Sequence, residues 1–375
     1  MKNILYMQAF LSLGNAITGF FFAFLLMDKF TLSFEEILFI FGLEYGAISL
    51  FVFHLHKINF FSIQQKLATG IFFLITSLLF LIFSDTSVIS LIAIIISTTL
   101  HISLLFPSLH WINIEQIDQS TRGSFLGSMQ ALSMGALIIG PLVSGFLIDL
   151  GYKNYIVLLS IIFYIISLIF AIHIPISKKA NPTLPTLKEA IFFFKTQTLK
   201  KSFFQMSLVE AVQNSSLILV YPILLKISLK KYTLMGGMFF IMAIIEIVTA
   251  KVVGFLTDKY SSAKLMKWGA FARALDIAPR GLLAFFPHAL LATTLSVSAG
   301  LLGPLFGVSF YSQVYKRAEE SIQSYTFLIT REWILGIARA IFFILTAISF
   351  HLIGIYALAF ALFLAGFLSF FLKEM

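Results

Sequence analysis

Residues 233–259, TLMGGMFFIMAIIEIVTAKVVGFLTDK, decide how this chain is read. The run is apolar and long enough to cross a bilayer as a helix, which takes roughly 20 residues. It holds one carboxylate, Glu246, near its middle and closes on Gly254-Phe255-Leu256-Thr257-Asp258-Lys259. Displaced by 202 positions (246 minus 44), Glu44 stands in a second such run, and the same displacement carries Asp258-Lys259 onto His56-Lys57. A carboxylate in hydrocarbon costs roughly 2.5 kcal/mol or more. Its recurrence at equivalent places therefore points to a cavity or a charge partner in each half. The chain reads as a duplicated membrane bundle, and that arrangement points toward transport.

Composition agrees. Of 375 residues, 59% are hydrophobic and 11% charged, with mean hydropathy +0.98, far more apolar than soluble domains. Spans are expected near 4–27, 36–56, 67–83, 87–109, 122–148, 155–176, 203–225, 233–257, 268–286, 288–314, 331–350 and 352–372. The expected fold is thus an all-α membrane protein of twelve transmembrane helices in two pseudo-symmetric six-helix bundles. The bundles are 1–176 and 203–375, joined by a cytoplasmic linker at 177–202. The first span starts after Met1-Lys2-Asn3 and superficially resembles a signal peptide, but Gln8, Ser12 and Asn15 interrupt it, so it reads as retained.

Lys and Arg set the orientation. The loops at Lys57–Lys66, Arg122, 178–201, Lys259–Lys267 and Lys316–Arg317 share one side with Lys2 and Lys373, whereas the other side holds only Lys29, Lys153, Lys226, Lys230 and Lys231. Both termini are expected in the cytoplasm, in an inner membrane. The net charge of +9 then reflects topology and contact with anionic lipid. A nucleic-acid role would need a basic soluble domain, and none of the loops is long enough for one. With no cysteine, disulfides, thiolate metal sites and cysteine nucleophiles are excluded.

A second repeat pairs Thr121-Arg122-Gly123-Ser124-Phe125-Leu126-Gly127 with Thr330-Arg331-Glu332-Trp333-Ile334-Leu335-Gly336, sharing T-R-x-x-x-L-G. Gln8 and Leu11 similarly pair with Gln205 and Leu208. On these features the chain resembles the major facilitator superfamily over essentially its whole length. Span 5, with Arg122-Gly123, Gly127, Gly135, Gly140-Pro141 and Gly145, is similar to the R-G…G…G-P…G signature of that helix in bacterial drug and metabolite antiporters. Gly254-Phe255-Leu256-Thr257-Asp258-Lys259 resembles the G-x-L-x-D-[RK] loop motif in its second-half copy, while His54-Leu55-His56-Lys57 lacks the acidic residue. The resemblance implies that Asp258 sits beside the exposed N–H groups at Gly123 and holds an inner gate. It also implies that Gly140-Pro141 serves conformational change. Arg122, Gly123, Gly140, Pro141, Gly254, Asp258, Lys259 and Arg331 are accordingly the gating candidates.

Polar side chains inside spans are the site candidates. Gln8, Ser12 and Asn15 share one face of span 1, and Glu210, Gln213 and Asn214 one face of span 7. The resemblance implies that spans 1, 4, 7 and 10 line a central cavity, to which His101 of span 4 and Tyr311 and Gln313 of span 10 would contribute. Any one of them taken alone reads first as one end of an interhelical hydrogen bond, and their concentration on the cavity helices raises the functional reading. Arg339, whose partner position in span 5 is Gln130, can bind a carboxylate or phosphate bidentately or pair with Glu332. Arg273, Asp276 and Arg280 share a face of span 9, which the resemblance makes peripheral; they are expected to pair internally or reach a lipid headgroup. One of Glu44, Glu210 and Glu246 is expected to carry coupling protons, unless each simply pairs with Lys251 or Arg339.

No phosphate-binding P-loop, dinucleotide fingerprint or zinc-helix motif is present. The expected function is a monomeric secondary transporter moving a small molecule, with protons or another coupling ion and no cofactor, drug or metabolite export being favoured. A transporter-shaped sensor that binds without turnover is the alternative, and a lipid-modifying enzyme is disfavoured because no His and acidic cluster marks an interfacial loop.

Overall fold

The computed structural model describes residues 2–57, 61–116, 119–174, 200–260, 262–321 and 323–374, with 186, 188, 189 and 191 in between. Most of the expected linker lies outside the described residues. Fourteen α-helices run through them, labelled here in chain order: α1 Lys2–Gly14, α2 Phe22–Phe30, α3 Phe34–Lys57, α4 Ile63–Phe83, α5 Val88–Gln116, α6 Arg122–Asp149, α7 Lys153–Ile172, α8 Lys200–Ser215, α9 Tyr221–Leu229, α10 Tyr232–Lys259, α11 Ser262–Ile277, α12 Ala289–Glu320, α13 Ser324–Ile353 and α14 Ile355–Leu368.

The apolar runs form helices because hydrocarbon offers no partner for backbone N–H and C=O groups, which must then bond within the segment. Large apolar side chains cover the outer surface, with Phe83, Ile89, Leu345 and Leu352 more than half exposed. That is the expected pattern of a lipid-facing shell. Among the described residues ten helices, or helix pairs continuous across a π turn, are long and apolar enough to span a membrane, and one further bent pair brings the number to eleven. The expected count of twelve is not reached. The segment that leaves the twelfth span unconfirmed is the ninth: α11 continues as a 3-10 helix, Ala278–Ala284, and the charges of Arg273, Asp276 and Arg280 lower the apolarity of that segment.

The two halves break at the same place. Between α1 and α2 lies a π turn, Asn15–Gly19, and between α8 and α9 another, Ser216–Val220. The first pair bends by 42°. Among the described residues only two non-glycine residues have positive φ, Thr31 at 54° and Lys230 at 63°, and they end α2 and α9 respectively. The repeat is therefore present in backbone geometry, not only in matching letters.

Two antiparallel helix pairs join the halves: α6 with α10, and α3 with α13. Small residues allow the close approach. A Cβ on Gly127 would stand 2.6 Å from the Ala250 carbonyl oxygen, and one on Gly236 would stand 2.2 Å from that of Pro141. Gly336 meets Tyr45 and Ser49 of α3 in the same way. Gly140 packs against Ala16 in the first π turn, and Gly254 against the Gly123 carbonyl.

Candidate functional site

The polar side chains inside this shell gather around two cavities. The first, about 330 Å³, is lined by Asn15, Glu44, Tyr45, Thr98, His101 and Tyr164. The second, about 410 Å³, is lined by Gln130, Glu210, Asn214, Glu246, Arg273, Asp276, Arg280 and Tyr311. Each holds one glutamate of the 202-residue repeat. Phe20 and Ile218 line both and so lie where the two adjoin. Phe20 follows the first π turn and Ile218 lies within the second.

In the first cavity the Tyr164 hydroxyl donates to Asn15 Oδ1 at 2.7 Å, and His101 Nδ1 is 2.8 Å from the Gly70 carbonyl oxygen. Glu44 is 4% exposed. In the second, Gln130 Nε2 donates to Glu246 Oε1 at 2.6 Å. Lys251, weighed as a partner for Glu246, points outward and is exposed. Among the described residues neither Glu44 nor Glu246 belongs to an ion pair.

Glu210 differs. Arg331 bonds both of its carboxylate oxygens, Tyr311 donates to Oε1 at 3.0 Å, and Arg331 Nη1 also donates to Glu332 Oε1 at 2.6 Å. Arg331 and Glu210 are both buried. Arg331, expected at a gate, is thus the counter-charge of a buried carboxylate. Its repeat partner Arg122 instead pairs with Glu319.

Several expected site residues do not reach a cavity. Gln213 turns away and donates to Ser369 Oγ at 2.6 Å. Gln8 reaches Asn113 Oδ1 at 3.4 Å. Arg339 stacks over the Tyr45 ring at 5.0 Å and lines neither chamber. Its expected alternative partner, Glu332, is held by Arg331. Gln313 is buried beside Ser312 but lines neither chamber.

Conversely, the sequence reading set aside Arg273, Asp276 and Arg280, and all three line the second cavity. They do pair internally: Asp276 Oδ2 is 3.0 Å from Arg273 Nη1 and Oδ1 is 2.5 Å from Arg280 Nη2. The readable signal was three charges inside an apolar run, which by itself marks a functional position.

At the helix-pair ends, Asp258 accepts from the Gly123 N–H at 2.6 Å, and from the N–H of Ser124 at 2.7 Å and its hydroxyl. Lys259 beside it is exposed and rests 5.7 Å from the Tyr260 ring centroid. At the far end of the same pair Asp149 accepts from the N–H groups of Tyr232 and Thr233 at 3.2 and 2.8 Å. His56, the counterpart of Asp258, lies 2.5 Å from the Tyr325 hydroxyl near the start of α13, and its other ring nitrogen lies 2.8 Å from the Ser103 carbonyl oxygen. The half without the acidic residue thus makes a hydrogen bond at the equivalent place.

Among the described residues no group of three or more His, Asp or Glu side chains is placed to hold a metal ion. A multi-pass helical shell enclosing two polar chambers defines a membrane transporter. The model of the Major Facilitator Superfamily matches residues 4–331, and the chain belongs to that family. The fold is similar to the human organic anion transporter MFSD10 (TETRAN), at 11% identity over 99% of this chain and 98% of that one, with TM-score 0.70. It is similar at TM-score 0.70 to a bacterial homologue of the iron transporter ferroportin in an outward-facing state, at 12% identity over 100% of this chain and 99% of that one. A POT family transporter in complex with a thioalcohol conjugated peptide matches at 10% identity over 100% and 94%, also with TM-score 0.70. No curated protein sequence matches the chain. Family membership implies a small-molecule substrate.

Proposed function

We propose that this protein is a secondary active transporter that moves a small molecule by alternating access between lobes 1–176 and 203–375, with protons as the coupling ion. The observation that carries this reading is the pair of chambers, each with one repeat glutamate that belongs to no ion pair among the described residues, and both lined by Phe20 and Ile218. Glu44 and Glu246 are the proton carriers of this reading, because Glu210 is already committed to Arg331. The Asp258 contacts with Gly123 and Ser124 serve as a gate at the cytoplasmic face, with both termini on that side of an inner membrane. Export of drug-like or metabolite molecules by a monomer accords with the Gly140-Pro141 pattern of α6.

The test is reconstitution into proteoliposomes with an imposed pH gradient, against a library of metabolites and drugs. Gradient-driven flux of at least one compound is expected, and Glu44→Gln or Glu246→Gln should uncouple it. Flux indifferent to the gradient in the native protein and in both variants would sink the proton reading. The second reading, a sensor that binds without turnover, rests on His56 standing where the other half has Asp258. Saturable binding with no flux in either direction would establish it.

A further inference from the structure

The second chamber has a charged wall and an apolar remainder. Asp276 is fully buried, and each of its carboxylate oxygens is taken by one guanidinium, from Arg273 and Arg280. Two cations on one anion leave the trio with a net charge of +1. Arg280 is sealed in: its Nε donates to the Asp276 carbonyl oxygen at 3.2 Å and its guanidinium lies 4.6 Å from the Tyr221 ring centroid. Arg273 is not. Its guanidinium rests 5.4 Å from the Phe306 ring centroid, and its Nε is buried with no hydrogen-bond partner among the described residues. An unmade bond at a buried cation is expensive, and 13% of the Arg273 side chain stays exposed toward the chamber it lines.

Opposite stands Glu246. From α6 it meets Gln130; α11 and the turn after it supply Arg273, Asp276 and Arg280; α8 and α12 supply Glu210 and Tyr311, which bond to each other, Glu210 also being held by Arg331. Ionised, Glu246 cancels the surplus charge of the trio. Protonated, it leaves that charge uncompensated in a low-dielectric cavity. Phe239, Phe306 and Met242 line the rest.

We infer that the Arg273–Asp276–Arg280 trio is the receptor for a small organic anion, a carboxylate on an apolar body, and that the anion and a proton on Glu246 bind with positive cooperativity. Arg273, whose side chain is 13% exposed, meets the carboxylate, and the aromatic wall receives the body. A guanidinium edge suits a planar carboxylate better than a neutral head. Because the two bound species cancel in charge, each raises the affinity for the other, and linkage makes the effect reciprocal. This rests on the transporter reading for its place in a transport cycle, but binding itself does not.

The test titrates the purified full chain with phenylacetate, phenylacetamide and phenethylamine by calorimetry at about pH 6 and about pH 8, a window bracketing a titratable coupling group. Phenylacetate should bind, more tightly at the lower pH, and the amide and amine should not compete. Arg273→Gln, which spares the Arg280–Asp276 bridge, should weaken phenylacetate roughly thirtyfold; Arg273→Lys should recover part of that. Glu246→Gln should bind phenylacetate as the native protein does at the lower pH, with no pH dependence left. Melting curves identify any variant that has not folded, and the Arg273→Lys comparison then stands in for it. Equal binding of amide and carboxylate, or pH dependence surviving in Glu246→Gln, overturns the inference. Dioctanoyl phosphatidate is the last arm: displacement of phenylacetate at lower concentration assigns the wall to a lipid headgroup and overturns it too. Flux in proteoliposomes without carboxylate preference would remove only the anion receptor, whereas carboxylate binding without flux would remove only the transporter.

Discussion

Asp149 and Asp258 cap each other's helices at opposite ends of one antiparallel pair. Asp258, which closes α10, accepts from the first N–H groups of α6, and Asp149, which closes α6, accepts from the first N–H groups of α10. A carboxylate at a helix N-terminus contributes about 0.3–2 kcal/mol. Both contacts are made in this structure.

The chain has no native cysteine, so a cysteine placed at Ser133 on the second cavity is a unique reporter of access. Asp258→Asn should raise its labelling by an impermeant maleimide from the Asp258 face, and Asp149→Asn from the Asp149 face. Identical labelling in both variants would show that these contacts do not govern access.

Close backbone approach should matter at the same ends. Gly236→Ala drives a methyl into the Pro141 carbonyl oxygen, and Gly127→Ala drives one into that of Ala250. Each should cost roughly 1–3 kcal/mol by overpacking. In the labelling assay Gly236→Ala should behave as Asp149→Asn does, and Gly127→Ala as Asp258→Asn. Native-like melting and labelling would contradict the packing argument.

Arg331 holds Glu210 and Glu332 together in a buried site. Removing the cation alone, as Arg331→Met, leaves two carboxylates uncompensated and should destabilise by about 3–5 kcal/mol. Adding Glu210→Gln should restore part of the loss, read as a rise in melting temperature above that of Arg331→Met. Additive losses would mean the two side chains act independently.

Tyr325→Phe removes the hydroxyl that meets His56 and should cost about 0.5–1.5 kcal/mol. Combined with Asp258→Asn it weakens one contact of each helix pair at that face. The double variant should label from the Asp258 face more than either single one; labelling no greater than that of Asp258→Asn would confine control to α6 and α10.

Much of the fold was legible because it is written in local pattern. Apolar runs of membrane length give the helices, and the offset between Glu44 and Glu246 gave the two chambers' carboxylates. Register was harder. The T-R-x-x-x-L-G repeat equates Arg122 with Arg331, but Arg122 is the first residue of α6 while α13 begins at Ser324, seven residues (331 minus 324) before Arg331. The same letters therefore lie at different depths and find different partners, Glu319 and Glu210. Gln213 fails for a related reason. Positions i and i+4 of that helix, Glu210 and Asn214, meet the cavity, and i+3 falls on the flank against Ser369. The trio on α11 and the 3-10 turn after it was undervalued because the family resemblance made that segment peripheral, although the cost of burying three charges argued otherwise.

The two π turns each insert one surplus residue into a helix just where Phe20 and Ile218 are mounted. A π turn is an irregularity that a helix can shift by a residue without breaking its ladder of bonds elsewhere. Phe20 and Ile218, which line both chambers, are thus mounted on two such irregularities, one from each repeat. A one-residue shift at either turn would swing its side chain between the chambers while the regular turns on both sides keep their bonds.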